Sequence, residues 1–224
     1  LSIPSGVGEP TANSILFSRM NVLVPVTATW IAKFQQCFDR WGAMTGITYV
    51  RVTSGGNNWD DGAVWGSGGA DGLRGDVRIS MKNIDGGNGI LAYNSFPPGG
   101  DMVIDSSENW GSTSNDYRFL RNTVLHEHGH GIGLNHVCPT NNTKLMEPFL
   151  NTNFDGPQQD DCRGGQYIYG DAHEPNGTIA TASLAGAGTL SVGGNLIPSN
   201  LSGNLVANTS STSNANGFDT DYFR

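Results

Sequence analysis

Residues 126–136 read His126-Glu127-His128-Gly129-His130-Gly131-Ile132-Gly133-Leu134-Asn135-His136, which sets histidines, a carboxylate and glycines at offsets suited to a metal and a proton acceptor. On a helix of ~3.6 residues per turn, His126 and His130 lie four apart and project from one face, within reach of the same ion. Gly133 has no Cβ, so the chain can leave the helix through a left-handed conformation and bring His136 back to that ion. Such a set of imidazoles leaves a tetrahedral position open to water, the arrangement of a catalytic rather than a structural zinc. Glu127, beside the first ligand, is the candidate general base. His128 is two residues from each helical ligand and points elsewhere, so it is expected to be a partly exposed neighbour and not a ligand.

The elements that must position these groups follow from periodicity. A helix over 117–132 carries the motif, with Val124, Leu125, Ile132 and Leu134 free to face a core. Trp30, Ile31, Phe34, Cys37, Phe38, Trp41 and Met44 recur at three- and four-residue spacing and predict an amphipathic helix over 30–44, capped by Thr27-Ala28-Thr29. Apolar and β-branched runs predict strands at 14–17, 22–26, 47–52, 76–81, 90–94 and 102–105, with a long Gly/Asn/Asp-rich loop over 54–75. A last helix is expected near 157–169. The expected class is α+β, a mixed twisted sheet with three main helices and ligands carried on loops. Composition shifts after His173 to Gly, Ala, Ser, Thr and Asn, with Lys absent and Arg only at Arg224. Strand character at 178–182 and 189–192 makes the tail part of a β-rich module, so the expected division is 1–173 and 174–224.

At 224 residues the chain suits one sizeable domain and a smaller piece. Its 37% hydrophobic and 14% charged residues with 32 Gly describe a loop-rich soluble chain with no run long enough to span a membrane. A net charge of -8 argues against a nucleic-acid partner and fits a secreted protein that binds cations. Leu1-Ser2-Ile3-Pro4 has neither a basic nor an apolar leader character, so a signal and pro-segment are expected to be absent from this chain. The odd set Cys37, Cys138 and Cys162 allows at most one intrachain disulfide. Cys138 and Cys162 flank the polar loop after the motif and are the expected pair, implying export to an oxidising compartment; Cys37 is expected to be a buried free thiol.

Together with Leu145-Met146-Glu147-Pro148, the histidine stretch resembles the metzincin metalloproteases, in which a methionine turn, here Met146, lies beneath the metal. Within that clan the chain is similar to the matrixins through Gly75-Asp76-Val77-Arg78-Ile79-Ser80, Asp85-Gly86-Gly87-Asn88-Gly89-Ile90-Leu91-Ala92-Tyr93, Gly100-Asp101-Met102-Val103-Ile104-Asp105-Ser106-Ser107-Glu108-Asn109-Trp110 and the closing helix through Tyr167-Ile168-Tyr169-Gly170. The resemblance implies Ca²⁺ held by Asp85, Asp105 and Glu108 with carbonyls of Gly86, Asn88 and Ile90, a donor set of the hard oxygens this ion requires. It also matches Asp76 and Asp101 to a second calcium site. Matrixins usually carry a second, structural zinc; here Tyr93 and Val103 stand where its ligands would be, so one zinc is expected. Glu174-Pro175-Asn176-Gly177 and Asp219-Thr220-Asp221-Tyr222-Phe223 resemble parts of a bacterial pre-peptidase C-terminal module.

What the resemblance implies for function is a secreted zinc endopeptidase, acting as a monomer on protein or peptide substrates, with Glu127 as base and then acid. The substrate would lie extended along an edge strand at 89–94, touching Gly89, Leu91 and Ala92, with a side-chain pocket walled by Pro148 and Phe149. The alternative is a catalytically weak zinc-binding module for adhesion to surfaces.

Overall fold

Aromatic residues four and seven apart decide the first long element. In the computed structural model, which describes residues 1–53 and 61–171 and the backbone of 189–190 and 196–197, helix α2 spans Thr27–Gly42 and buries Trp30, Phe34, Cys37 and Trp41 along one stripe. That stripe packs on α3, Arg118–Gly131, whose Leu120, Val124 and Leu125 are buried. Trp41 is fully buried and donates its indole N–H to the Leu125 carbonyl at 3.1 Å, so the contact is oriented as well as apolar. Threonines 27 and 29 lie inside α2, not at its cap: the N-cap is Val26, and Thr27 Oγ1 donates instead to Asn21 Oδ1.

Before α2 the structure departs from expectation. Strands β1 (Ser2–Ile3) and β2 (Ala12–Asn13) pair antiparallel, and 16–23, expected to hold strand segments, forms helix α1, Leu16–Leu23. Leu16, Met20 and Val24 are buried at four-residue spacing, a helical period that short apolar runs conceal in sequence. The described residues thus hold four helices where three were expected, the last being α4, Gln159–Tyr169.

The central sheet has the order β3-β5-β4. β3 (Ile79–Lys82) runs parallel to β5 (Met102–Asp105), with Ile79 opposite Met102, and β4 (Ala92–Asn94) runs antiparallel to β5, with Tyr93 opposite Val103. The segment 47–52 is not a strand. The outer edge of β3 is already engaged at Met81, whose carbonyl accepts from Ile15 N at 2.8 Å and whose N–H donates to Ser14 Oγ at 3.2 Å. Segment 47–52 instead lines a cavity together with residues 75–80, so β-propensity alone did not bring it to the edge of β3.

Alternation along β5 sends Met102 and Ile104 into the main core with the helices and Val103 to the opposite face, where it packs with Ile3 and Ile84 beside Tyr93 and Trp65. The N-terminal hairpin therefore covers one face of the sheet and α2 and α3 the other. Thr189–Leu190 pairs antiparallel with Leu196–Ile197 (β6 and β7); the rest of the expected C-terminal module lies outside the described residues.

Candidate metal centre

Helix α3 ends where Gly133 adopts φ +99°, its N–H bonding back to the His130 carbonyl and that of Leu134 to the Gly129 carbonyl, both at 2.9 Å. This left-handed exit turns the chain so that His136 Nε2 stands 3.1 Å from His126 Nε2 and 3.2 Å from His130 Nε2. Nitrogens bound ~2.0–2.1 Å from one tetrahedral zinc lie about 3.3–3.4 Å apart, so the spacing fits that ion. The tautomers fit too. His126 Nδ1 meets the Leu145 carbonyl and His130 Nδ1 the Leu134 carbonyl, each at 2.7 Å, so the proton sits on Nδ1 and the Nε2 lone pair is left to a metal. Bare nitrogens facing each other at 3.1–3.2 Å repel without a cation between them. Desolvation, with the neighbouring histidines, pulls His126 down to about 4 against the Leu145 carbonyl, and desolvation lowers His130 and His136, so all are neutral ligands at neutral pH. Among the described residues, these histidines form the group whose ligand atoms converge as a metal site requires.

Glu127 is 8% exposed, and burial pushes its carboxyl up to about 8, near the range in which a carboxylate both takes and returns a proton at neutral pH. Met146 is buried against α3 at Gly129. A Cβ on Gly129 would stand 2.4 Å from Met146 Sδ, so glycine at that motif position is what lets the methionine close against α3. Asp161 then pins the turn: its carboxylate accepts Leu145 N at 2.8 Å and Met146 N at 3.0 Å while also accepting Gln158 N at the start of α4. Sequence reasoning missed Asp161; its signal was a Gln-x-x-Asp capping pattern opening the last helix. It also missed Asn122, fully buried on α3, whose Nδ2 donates to the Asn151 and Phe154 carbonyls and whose Oδ1 accepts Gly156 N, tying 151–156 to the metal helix. Phe96 was a third omission, its half-exposed ring 5.4 Å from that of His130.

His128 corrects an expectation. It is 2% exposed, packed 4.5 Å from the Phe38 ring and 5.2 Å from Tyr49, with Nε2 2.7 Å from the Tyr49 hydroxyl. It is a core residue on the α2 side of α3, no ligand and not partly exposed.

The expected calcium residues gather but do not converge in the same way. Asp85 folds over its own loop to accept Ile90 N at 3.0 Å, over a Gly89 whose Cβ would stand 2.3 Å from Oδ2. Asp105, fully buried, accepts Asp85 N and Ser107 N, and Glu108 accepts Asn88 N. The loop bends through Gly86 at φ +93° and Asn88 at φ +69°. The second expected site is not assembled: Asp76 is exposed, whereas Asp101 is fully buried and gives Oδ1 to Arg78 N and Nε and Oδ2 to Arg78 Nη2 and Gly66 N. Asp101 is the acceptor of a guanidinium, which leaves it no free oxygen for calcium. Nor is the Cys138–Cys162 bridge formed. All three cysteines are free thiols; Cys138 is exposed on the loop, while Cys162 is buried with Sγ 3.1 Å from Met44 Sδ.

β4 is an edge strand and packs on α3, with Ala92 buried, Leu91 half-buried and Gly89 exposed. Pro148 and Phe149 are exposed, the latter at 72%. Glu147, buried just before them in the chain, accepts the N–H groups of Asn142, Thr143 and Lys144 and closes the loop before the methionine turn.

Residues 22–170 match the family model described as Matrixin. The chain is 34% identical over 149 residues to matrix metalloproteinase-18 of Xenopus laevis, covering 63% of this chain and 29% of that protein. It is 40% identical over 156 residues to neutrophil collagenase of Homo sapiens, covering 63% and 29%, and 33% identical over 150 residues to matrix metalloproteinase-16 of Homo sapiens, covering 61% and 23%. The chain therefore spans less than a third of the length of these relatives.

Proposed function

The chain belongs to the matrixin family of peptidases, and on that premise we propose that it is a secreted zinc-dependent endopeptidase cutting extended protein substrates. The observation that carries this is the pair of Nε2 contacts made by His136 with His126 and His130, beside the buried Glu127. His126, His130 and His136 would hold one zinc ion, which supplies a Lewis acid that polarises the scissile carbonyl and acidifies water. The chain's own residues do the rest. Glu127 takes the proton of the attacking water on its carboxylate and gives it to the departing amine, serving as base and then acid. Leu145 and Leu134 carbonyls hold the ligand rings in register throughout. The free edge of β4 pairs with the substrate backbone, and a pocket walled by Pro148 and Phe149 takes an apolar side chain just after the cut.

Calcium at Asp85, Asp105 and Glu108, with carbonyls of Gly86, Asn88 and Ile90, belongs to the same proposal as a support for the loop leading into β4. The partners are proteins or peptides, met by a monomer; no helix among the described residues is long and apolar enough to cross a membrane. Residues 174–224 are proposed as the start of a β-rich appended module, separate from catalysis.

Metal content and casein cleavage, measured with and without a zinc chelator, test this. We expect one zinc per chain and loss of cleavage on chelation that returns with added zinc. Full cleavage by a zinc-free protein, or by a Glu127→Ala variant, would overturn the assignment.

A further inference from the structure

The edge strand β4 is gripped on both faces. Alternation sends Ala92 and Asn94 toward α3, where a Cβ on Gly131 would lie 2.7 Å from Asn94 Nδ2, and sends Tyr93 the opposite way. There the Tyr93 ring presses on Gly6, whose Cβ would stand 2.4 Å from Tyr93 Cζ. The Tyr93 hydroxyl donates to Glu9 Oε1 at 2.6 Å. Glu9 also accepts Gly6 N at 3.0 Å and Val7 N at 2.8 Å and meets Lys82 Nζ at 2.8 Å. Lys82, from β3, donates further to the carbonyls of Pro4 at 2.7 Å and Pro10 at 3.1 Å. Both side chains of this ion pair are 1% exposed. Burial alone would raise the Glu9 carboxyl; the Lys82 ammonium, the Tyr93 hydroxyl and the amides of Val7 and Gly6 outweigh it and hold it well below the usual carboxylate range.

A buried ammonium is tolerated only while its donors are satisfied, so the 4–10 loop must stay wrapped around Lys82 for either charge to remain inside. The loop thereby joins β3, through Lys82, to β4, through Tyr93, on the face away from the metal. Three residues of β4 give it few ladder bonds of its own, and a misplacement on the order of 1 Å is enough to disturb a bound substrate.

Building on the peptidase reading, we propose that the 4–10 loop is a clasp that fixes β4 from behind, with Glu9, Lys82 and Tyr93 as positioning residues for substrate pairing along the strand edge. None of them touches the reacting atoms; they act through the strand. Glu9→Gln keeps the shape and removes the charge, and Tyr93→Phe keeps the ring on Gly6 and removes only the hydroxyl. Each full-length variant is compared with the wild-type protein for zinc content, Tm, and kcat and KM on two peptides, one long enough to pair along all of β4 and one spanning little beyond the cut bond. The expected result is zinc content unchanged and KM for the long peptide raised about tenfold, the scale of one lost charge-assisted hydrogen bond, with kcat moving far less and the short peptide barely affected. The double variant should be no worse than Glu9→Gln alone, because both changes break one network. A fall in Tm with both KM values unchanged would reduce the clasp to a structural element and overturn the proposal. Wild-type protein that holds zinc and cuts neither peptide would instead sink the peptidase reading, and the clasp's role with it.

Discussion

Two clusters of candidate ligands meet different fates in this molecule. The histidines of the metal centre present nitrogens with lone pairs unclaimed, because the opposite ring nitrogens of His126 and His130 are held by the Leu145 and Leu134 carbonyls. The carboxylates of Asp85, Asp105 and Glu108 lie close in the fold, but each accepts backbone N–H groups. The first cluster is therefore arranged as a cation site requires. The second closes a loop by itself through those amides, and a cation would add to contacts that already hold the loop. The difference teaches that ligand identity is not enough; what the second atom of each ligand does decides whether the first is available.

That contrast can be broken most sharply at Glu127. Replacing it with Gln should leave zinc bound and lower kcat by about 10²–10⁴, as expected for a lost general base; a variant retaining both zinc and rate would remove the proton-transfer role. Loosening the metal floor comes next. Asp161→Asn weakens the grip on Leu145 N and Met146 N, and zinc affinity, read by competition with a chromophoric chelator, should fall about 10-fold or more, as for changes to outer partners of metal ligands. Gly129→Ala forces a Cβ onto Met146 Sδ, and chemical denaturation should show a loss of about 1–3 kcal/mol, the usual cost of overpacking.

The carboxylate side should respond more weakly. Removing calcium should lower Tm by a few degrees and leave zinc content intact; an unchanged Tm would mean the amides of Ile90, Ser107 and Asn88 suffice without the ion. The smallest expected effect lies at Glu147. Burial raises its carboxyl, and the amides of Thr143, Asn142 and Lys144 with the Lys144 ammonium outweigh it, bringing it down to about 2 from its ordinary 4.5. A folded value below the unfolded one means its contribution is present above about 4.5 and fades as pH falls toward 2. Glu147→Gln should lower Tm slightly at pH 7, where the carboxylate's contribution is fully present, and flatten the unfolding free energy across that acid window so that the two proteins converge near pH 2, which titration of Tm against pH would check.

The metal helix was legible because its determinants are local. His126, His130 and Gly133 act through one helical repeat and one left-handed residue, so spacing alone brings His136 back. The α2 stripe and the β4 and β5 strands were legible for the same reason, their periods being visible within a dozen residues. What failed was long-range. Whether 47–52 pairs depends on how closely it approaches 75–80 across a shared cavity, and whether Asp101 is free depends on Arg78, 23 residues away just before β3. His128 was misplaced because burial on the second face of α3 depends on Phe38 and Tyr49, far away in sequence.

By itself, then, the sequence determined which groups the fold has to offer a metal and a proton, the imidazoles, Glu127 and the turn at Gly133, all within eleven residues whose geometry is set by the backbone. Only the tertiary structure decided which of them are held ready. Met146 closes on Gly129, Asp161 reaches from α4 to pin the methionine turn, and the 4–10 loop binds Lys82 and Tyr93 behind the strand edge. Those contacts join parts of the chain whose closeness is fixed by packing a shared core, and no local pattern records it.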